Sequence, residues 1–148
     1  YFEQIAMAKV SASALEAKEM GYLRDDDVII ANPNELLYVA KQQALALLDS
    51  GFKSPLDSTF KVVGKAGYAN IMAQVANLYE GHFMSEHDNY CVTRLARVMT
   101  GSKVEENTTV NSQMILDLER EYFIKLLGTQ KTQDRIEYML RNSKPLRN

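Results

Sequence analysis

The sequence predicts an all-α chain, a helical bundle of about six helices with at most one short strand near residues 28–31. Three observations lead there. Apolar residues recur at helical spacing along nearly the whole length, and Pro, Gly and capping residues fall where that pattern breaks. No repeat of fixed period and no low-complexity segment occurs, which argues against a solenoid.

The first helix is expected from Phe2 to Lys9, offering Phe2, Ile5 and Met7 to a packing partner. A second should start at Ser13, whose hydroxyl caps the backbone while Glu16 reaches back, and stop at Gly21, where a left-handed residue is cheap. The Arg24-Asp25-Asp26-Asp27 run reads as a turn, and Val28-Ile29-Ile30-Ala31 is the one stretch with strand character. Asn32-Pro33-Asn34-Glu35 then opens a helix: Asn caps, Pro suits the first helical position, and Glu opposes the positive end of the dipole. That helix carries Leu36, Leu37, Val39, Ala40, Ala44, Leu47 and Leu48 to a stop at Asp49-Ser50-Gly51.

Residues 52–65, with Pro55, form the least regular stretch and the expected internal connector of an otherwise single helical subdomain, 1–148. Four helices should follow, over 66–83, 85–99, 109–127 and 132–141. Ser85 caps with Asp88, Thr132 caps with Asp134, and Gly81, Gly101 and Gly128 mark helix ends. In the third of these, Ile115, Leu118, Tyr122 and Leu126 form one apolar row and Leu116, Phe123 and Leu127 another, so it should be central to the bundle.

Composition narrows function by exclusion. A net charge of −2 with acids and bases interspersed gives no nucleic-acid footprint. The lone Cys91 cannot close an intramolecular disulfide, no leader is visible, and no apolar run reaches membrane-spanning length, so the expected setting is cytoplasmic, without a membrane partner. Tyr1 is followed by a helical pattern with no initiator Met and no cap, which reads as a piece of a larger protein.

Chemistry is sparse. Gly64-Lys65-Ala66-Gly67 lacks the spacing and the Ser/Thr of a phosphate loop. His82, Glu86, His87 and Asp88 are the densest potential ligands, but the two histidines are five residues apart across a cap, not i and i+4, so no metal is expected. The carboxylate pairs Glu105/Glu106 and Glu119/Glu121 lie on polar helix faces, and Glu119 is expected to pair with Arg120 or Arg135. No catalytic residue is assigned.

The opening IAMAKVSASALEAKEMGYL resembles the point in crotonase-fold proteins (enoyl-CoA hydratase and isomerase) where the core ends and a helical tail begins, usually written A-E-E-A followed by G-L-V. The closing LDLEREYFIKLLGTQKTQDRIEYMLRNSKPLRN, with Lys144 and Pro145 about ten residues beyond Asp134, resembles the end of that tail. Together with Ser85-Glu86-His87-Asp88, the pattern is similar to the C-terminal region of multifunctional 3-hydroxyacyl-CoA dehydrogenase/enoyl-CoA hydratase proteins of fatty-acid β-oxidation. Residues 52–84 have no counterpart in short hydratases.

The resemblance implies a tail that serves oligomer contacts and the acyl-CoA pocket, while the oxyanion donors and catalytic carboxylates lie upstream. It implies that Lys144 and Arg147 approach the CoA phosphates and that Met139 stands where the family has a phenylalanine beside the adenine. Asn142-Ser143 stands where the family has a basic pair. It further implies a parent that uses NAD, although no G-x-G-x-x-G occurs in this stretch, so no cofactor is expected here. The expected partners are the upstream crotonase core, the dehydrogenase domains, acyl-CoA and further copies of the chain. The alternative is an autonomous helical module whose apolar faces serve a protein partner.

Overall fold

A computed structural model describes residues 1–54 and 58–148, so Pro55 of the expected connector lies outside the described residues. Seven α-helices and one two-stranded antiparallel sheet occur among the described residues. The mostly helical expectation is met. The chain divides into two compact units, one of Tyr1–Ala6 with Asp57–Asn148, the other Met7–Leu56.

In the smaller unit, α2 (Ala14–Glu19) starts on Ser13, whose Oγ accepts from the Glu16 N–H at 3.1 Å. Glu16 reaches back one residue further than a capping box requires, accepting from the Ala12 N–H at 2.6 Å. Gly21 ends the element at φ 76°, as expected. Val28–Ala31 is not a strand. Arg24 and Asp27 close a turn ahead of it, through the Arg24 N–H on Asp27 Oδ2 at 2.7 Å, and among the described residues no edge pairs with the apolar run. A strand without a paired edge leaves its backbone to water, and propensity alone does not sustain it. A single 3₁₀ turn, Pro33–Glu35 on the Asn32 cap, leads into α3 (Leu36–Asp49). None of the α3 residues is buried.

In the larger unit, α1 (Phe2–Ala6) lies against α5 (Glu86–Thr100). It stops three residues short of Lys9 because Ala8 turns left-handed at φ 50°. Its half-buried positions are Phe2, Gln4 and Ala6, so Ile5 and Met7 do not share the expected packing face.

Strands β1 (Thr59–Lys61) and β2 (Thr109–Asn111) pair antiparallel with Phe60 opposite Val110. The first lies in the stretch read as a connector and the second in residues read as the start of a helix. Three consecutive β-branched residues, Thr108 to Val110, favour the extended chain once a partner edge is present. Asn111 then caps α6 (Ser112–Leu127), its side chain accepting from the Met114 N–H at 2.9 Å.

The ribbon is held by buried Val62 and Val110 and by close backbone approach. The Lys65 N–H donates to the Val104 carbonyl at 2.9 Å. At Gly64, φ is 52°, and a Cβ would fall 2.5 Å from the Val104 and Glu105 backbone. Gly64 therefore serves chain crossing, and α4 (Gly64–Glu80) starts there. Helices α4 and α5 pack on Val75, 2% exposed, and Ala96, fully buried.

Helix α6 contains no buried residue, contrary to its expected central place. Its row Ile115, Leu118, Tyr122 and Leu126 is half-buried, whereas Leu116 and Phe123 of the second row are exposed. Periodicity marks a face that can be covered; whether it is covered depends on what else the chain supplies.

Candidate functional site: a polar joint between two helices

Gly81 follows α4 at φ −76°, and it is His82, at φ 59°, that turns the chain left-handed toward α5. Ser85 and Asp88 then close a capping box at the α5 start, each side chain taking the other's backbone N–H at 3.1 Å. This box fixes the first turn of α5 and with it the direction of Glu86, His87 and Asp88. His82 is exposed and His87 is 5% exposed, so one marks a helix end while the other points inward. Among the described residues no group of three or more His, Cys, Asp or Glu side chains could hold a metal ion.

Helix α7 (Gln130–Asn142) brings the partners for that turn. It begins two residues earlier than expected, with Thr129 at the N-cap position, so Thr132 is not the cap. Released from capping, the Thr132 hydroxyl meets His87 Nε2 at 2.9 Å, and the Thr129 Oγ1 lies 2.8 Å from it. Arg135 Nη1 donates to Asp88 Oδ1 at 2.8 Å and its Nη2 to Ser85 Oγ at 3.4 Å. Its other donors go to Asn148: Nε to the side-chain Oδ1 at 2.8 Å and Nη2 to the backbone carbonyl at 3.3 Å. The Asn148 amide in turn donates to the Lys131 carbonyl at 3.2 Å. Arg135 therefore does not pair with Glu119, and Arg120 pairs with Asp117 at 3.0 Å; Glu119 is exposed.

The electrostatics suit a joint. Burial raises the Asp88 carboxyl, but the Ser85 backbone N–H and the Arg135 guanidinium outweigh it and hold the group below its ordinary range. Burial, aided by the Arg135 and Lys131 charges, lowers the His87 imidazole below its ordinary range, with Asp88 opposing. Burial pushes the neighbouring Cys91 thiol up, away from the reactive thiolate.

An open groove of about 610 Å³ lies over this joint, lined among others by Tyr79, His87, Tyr90, Arg94 and Lys131. Tyr90 stacks on His87 at 5.9 Å between centroids, and the Arg94 guanidinium sits 3.0 Å over the Tyr90 ring while donating to the Tyr90 carbonyl at 2.9 Å. Glu86, exposed, reaches Lys131 only at 3.9 Å. Asp88 accepts from Arg135 and the Ser85 N–H, His87 meets Thr132, and Glu105 and Glu121 pair with Lys65 and Lys125 on the surface. Water addition across a double bond needs proton transfers at two adjacent carbons, with acid and base converging on one substrate, and these carboxylates lie on different elements of the chain.

Met139 lies half-exposed on α7, while Lys144 and Arg147 follow it on the exposed segment beyond the helix; none of the three lines the groove. A second, apolar depression of about 410 Å³ runs along α7 over Ile136 and Leu140 and also excludes them. Sequence reasoning missed Thr132 as the His87 partner and Asn148 as the Arg135 partner. Pairs 45 and 13 residues apart in the chain leave no local signal, although Thr132 and Asn148 both lie in the closing run that carried the resemblance.

The molecule thus contains a small helical assembly organised around a half-buried ion-pair joint, with no helix long and apolar enough to cross a membrane among the described residues. The chain is 45% identical over 147 residues to a probable 3-hydroxyacyl-CoA dehydrogenase of Bacillus subtilis (strain 168), and is homologous to part of that protein. The match takes in 99% of this chain and 19% of the relative, so the chain spans about a fifth of the relative's length. No family model matches the chain, and no solved structure matches it.

Proposed function

We propose that this chain is the C-terminal helical region of a fatty-acid β-oxidation multienzyme combining 3-hydroxyacyl-CoA dehydrogenase and enoyl-CoA hydratase activities. The observation that carries the reading is identity at 45% of positions, along nearly the whole chain, to part of a dehydrogenase several times longer. In this reading the region packs against the crotonase core and dehydrogenase domains of its parent, contributes to a homo-oligomer and completes the acyl-CoA pocket. Lys144 and Arg147 hold CoA phosphates as point-charge and forked donors, with Met139 beside the adenine. The parent acts in the cytoplasm.

Two features support an accessory role. The Leu116 and Phe123 row of α6 and the apolar residues of α3 are exposed, as surfaces covered by another part of a larger protein would be. The most connected polar side chains are spent on holding α5 to α7. NAD belongs to the parent's other domains: a nicotinamide dinucleotide needs a Gly-rich turn between a parallel strand and a helix. The sheet here is an antiparallel ribbon, and Gly64 is packed against the Val104 and Glu105 backbone, so the described residues do not fit that cofactor.

The test is crotonyl-CoA hydration by the isolated chain. The reading expects no turnover above the uncatalysed rate, and hydratase-level turnover would contradict it.

A further inference from the structure

Helix α7 ends at Ser143, which adopts φ 52° and donates its N–H to the Met139 carbonyl at 2.8 Å. Five residues later, Asn148 is bound to Lys131 and Arg135, in the first half of the same helix. From Asn142 back to Arg135 is about 10 Å of helix at roughly 1.5 Å per residue. Six residues of extended chain reach up to about 20 Å, enough to return along the helix surface. Residues 143–148 therefore fold back beside α7, fixed at one end by a left-handed turn and at the other by a fork of hydrogen bonds. Pro145, between them, removes further backbone freedom. Lys144 and Arg147 are the cations of this returning segment, and both are exposed.

We propose that Arg135 and Asn148 form a clamp that positions Lys144 and Arg147 for the phosphates of acyl-CoA; the inference rests on the phosphate-holding role given to those two residues above. Arg135 never touches the substrate. It divides its guanidinium between Asp88, which anchors it to α5, and Asn148, which anchors the returning segment to it. Holding two long cationic side chains on a fixed backbone lowers the ordering cost of binding, and a loose segment incurs that cost each time phosphate arrives. The effect belongs to affinity and not to the chemical step.

The experiment uses the full protein that carries this region, with acyl-CoA and with the matching acyl-pantetheine, which lacks the nucleotide phosphates. Asn148→Ala keeps the Asp88–Arg135 pair and so keeps the joint between α5 and α7. It should raise KM for acyl-CoA on the order of fivefold while kcat holds, and leave the acyl-pantetheine KM unchanged. Arg135→Lys, which keeps a charge for Asp88 but loses the fork, should show the same split. Lys144→Ala serves as the reference. If Lys144→Ala raises KM and Asn148→Ala does not, the clamp is overturned and the phosphate role stands. If neither changes KM, both fail. An equal rise on both substrates would assign Asn148 to folding and also overturn the clamp.

Discussion

The two compact units differ in how their elements are held. In the unit of residues 7–56, the side-chain hydrogen bonds of the described residues are mostly local: Ser13 to Glu16, Arg24 to Asp27, Asn32 to Asn34, Ser50 to Leu47. Its one buried apolar residue among those described is Ala17, and Leu37 of α3 is 82% exposed. In the larger unit, elements far apart in sequence lock together. Lys65 crosses to Val104, His87 meets Thr132, and Arg135 joins Asp88 to Asn148. Caps and turns decide where a helix starts and stops; only long-range packing decides whether it is stable. A 14-residue helix with no buried face lies near the limit of what propensity sustains in water.

The comparison can be broken by substitution, and the largest effect is expected at Gly64. Gly64→Ala adds a left-handed penalty and a Cβ against the Val104 and Glu105 backbone. It should lower stability by roughly 3 kcal/mol in thermal or urea unfolding. Val75→Ala, between α4 and α5, should cost about 2 kcal/mol through lost burial and a residual cavity.

Asp88→Asn should cost roughly 1–2 kcal/mol, a figure reduced for screening because the Asp88 and Arg135 side chains remain 28% and 22% exposed. The same joint makes stability depend on pH. His87 is depressed, so the unfolded chain takes up a proton first, and stability should fall as pH drops below the ordinary histidine value of about 6.5. That loss levels off once the folded His87 is also protonated. The Asp88 contribution is present above the ordinary aspartate value of about 3.8 and is lost below it, as pH falls through the depressed folded value. His87→Gln should remove the upper of these two losses. The smallest effect is expected in the other unit: Leu37→Gln should change the isolated chain's stability by less than about 0.5 kcal/mol.

How much of this was legible in the sequence follows the same division. Local signals were readable: Ser13, Asn32 and Ser85 cap as expected, and Gly21, Gly51 and Gly101 turn left-handed after their helices. Pairings at a distance were not. Strand character is concentrated at Val28–Ala31, an apolar and β-branched run, yet the edges that meet are Thr59–Lys61 and Thr109–Asn111, which pattern alone cannot bring together. Thr132 looked like a cap because Asp134 follows it, but Thr129 takes that position in an extended conformation. The segments that carried the resemblance, Ser85–Asp88 and the closing run, are the ones the structure joins, but through Arg135 and Asn148, a link no periodicity reveals.

Native-state hydrogen exchange tests most directly the claim that one unit is locked by its own contacts while the other awaits a covering surface. In the isolated chain, amides of α5 should exchange at least tenfold more slowly than those of α3, and in the full protein α3 should gain protection. Equal protection of α3 and α5 in the isolated chain would contradict the account.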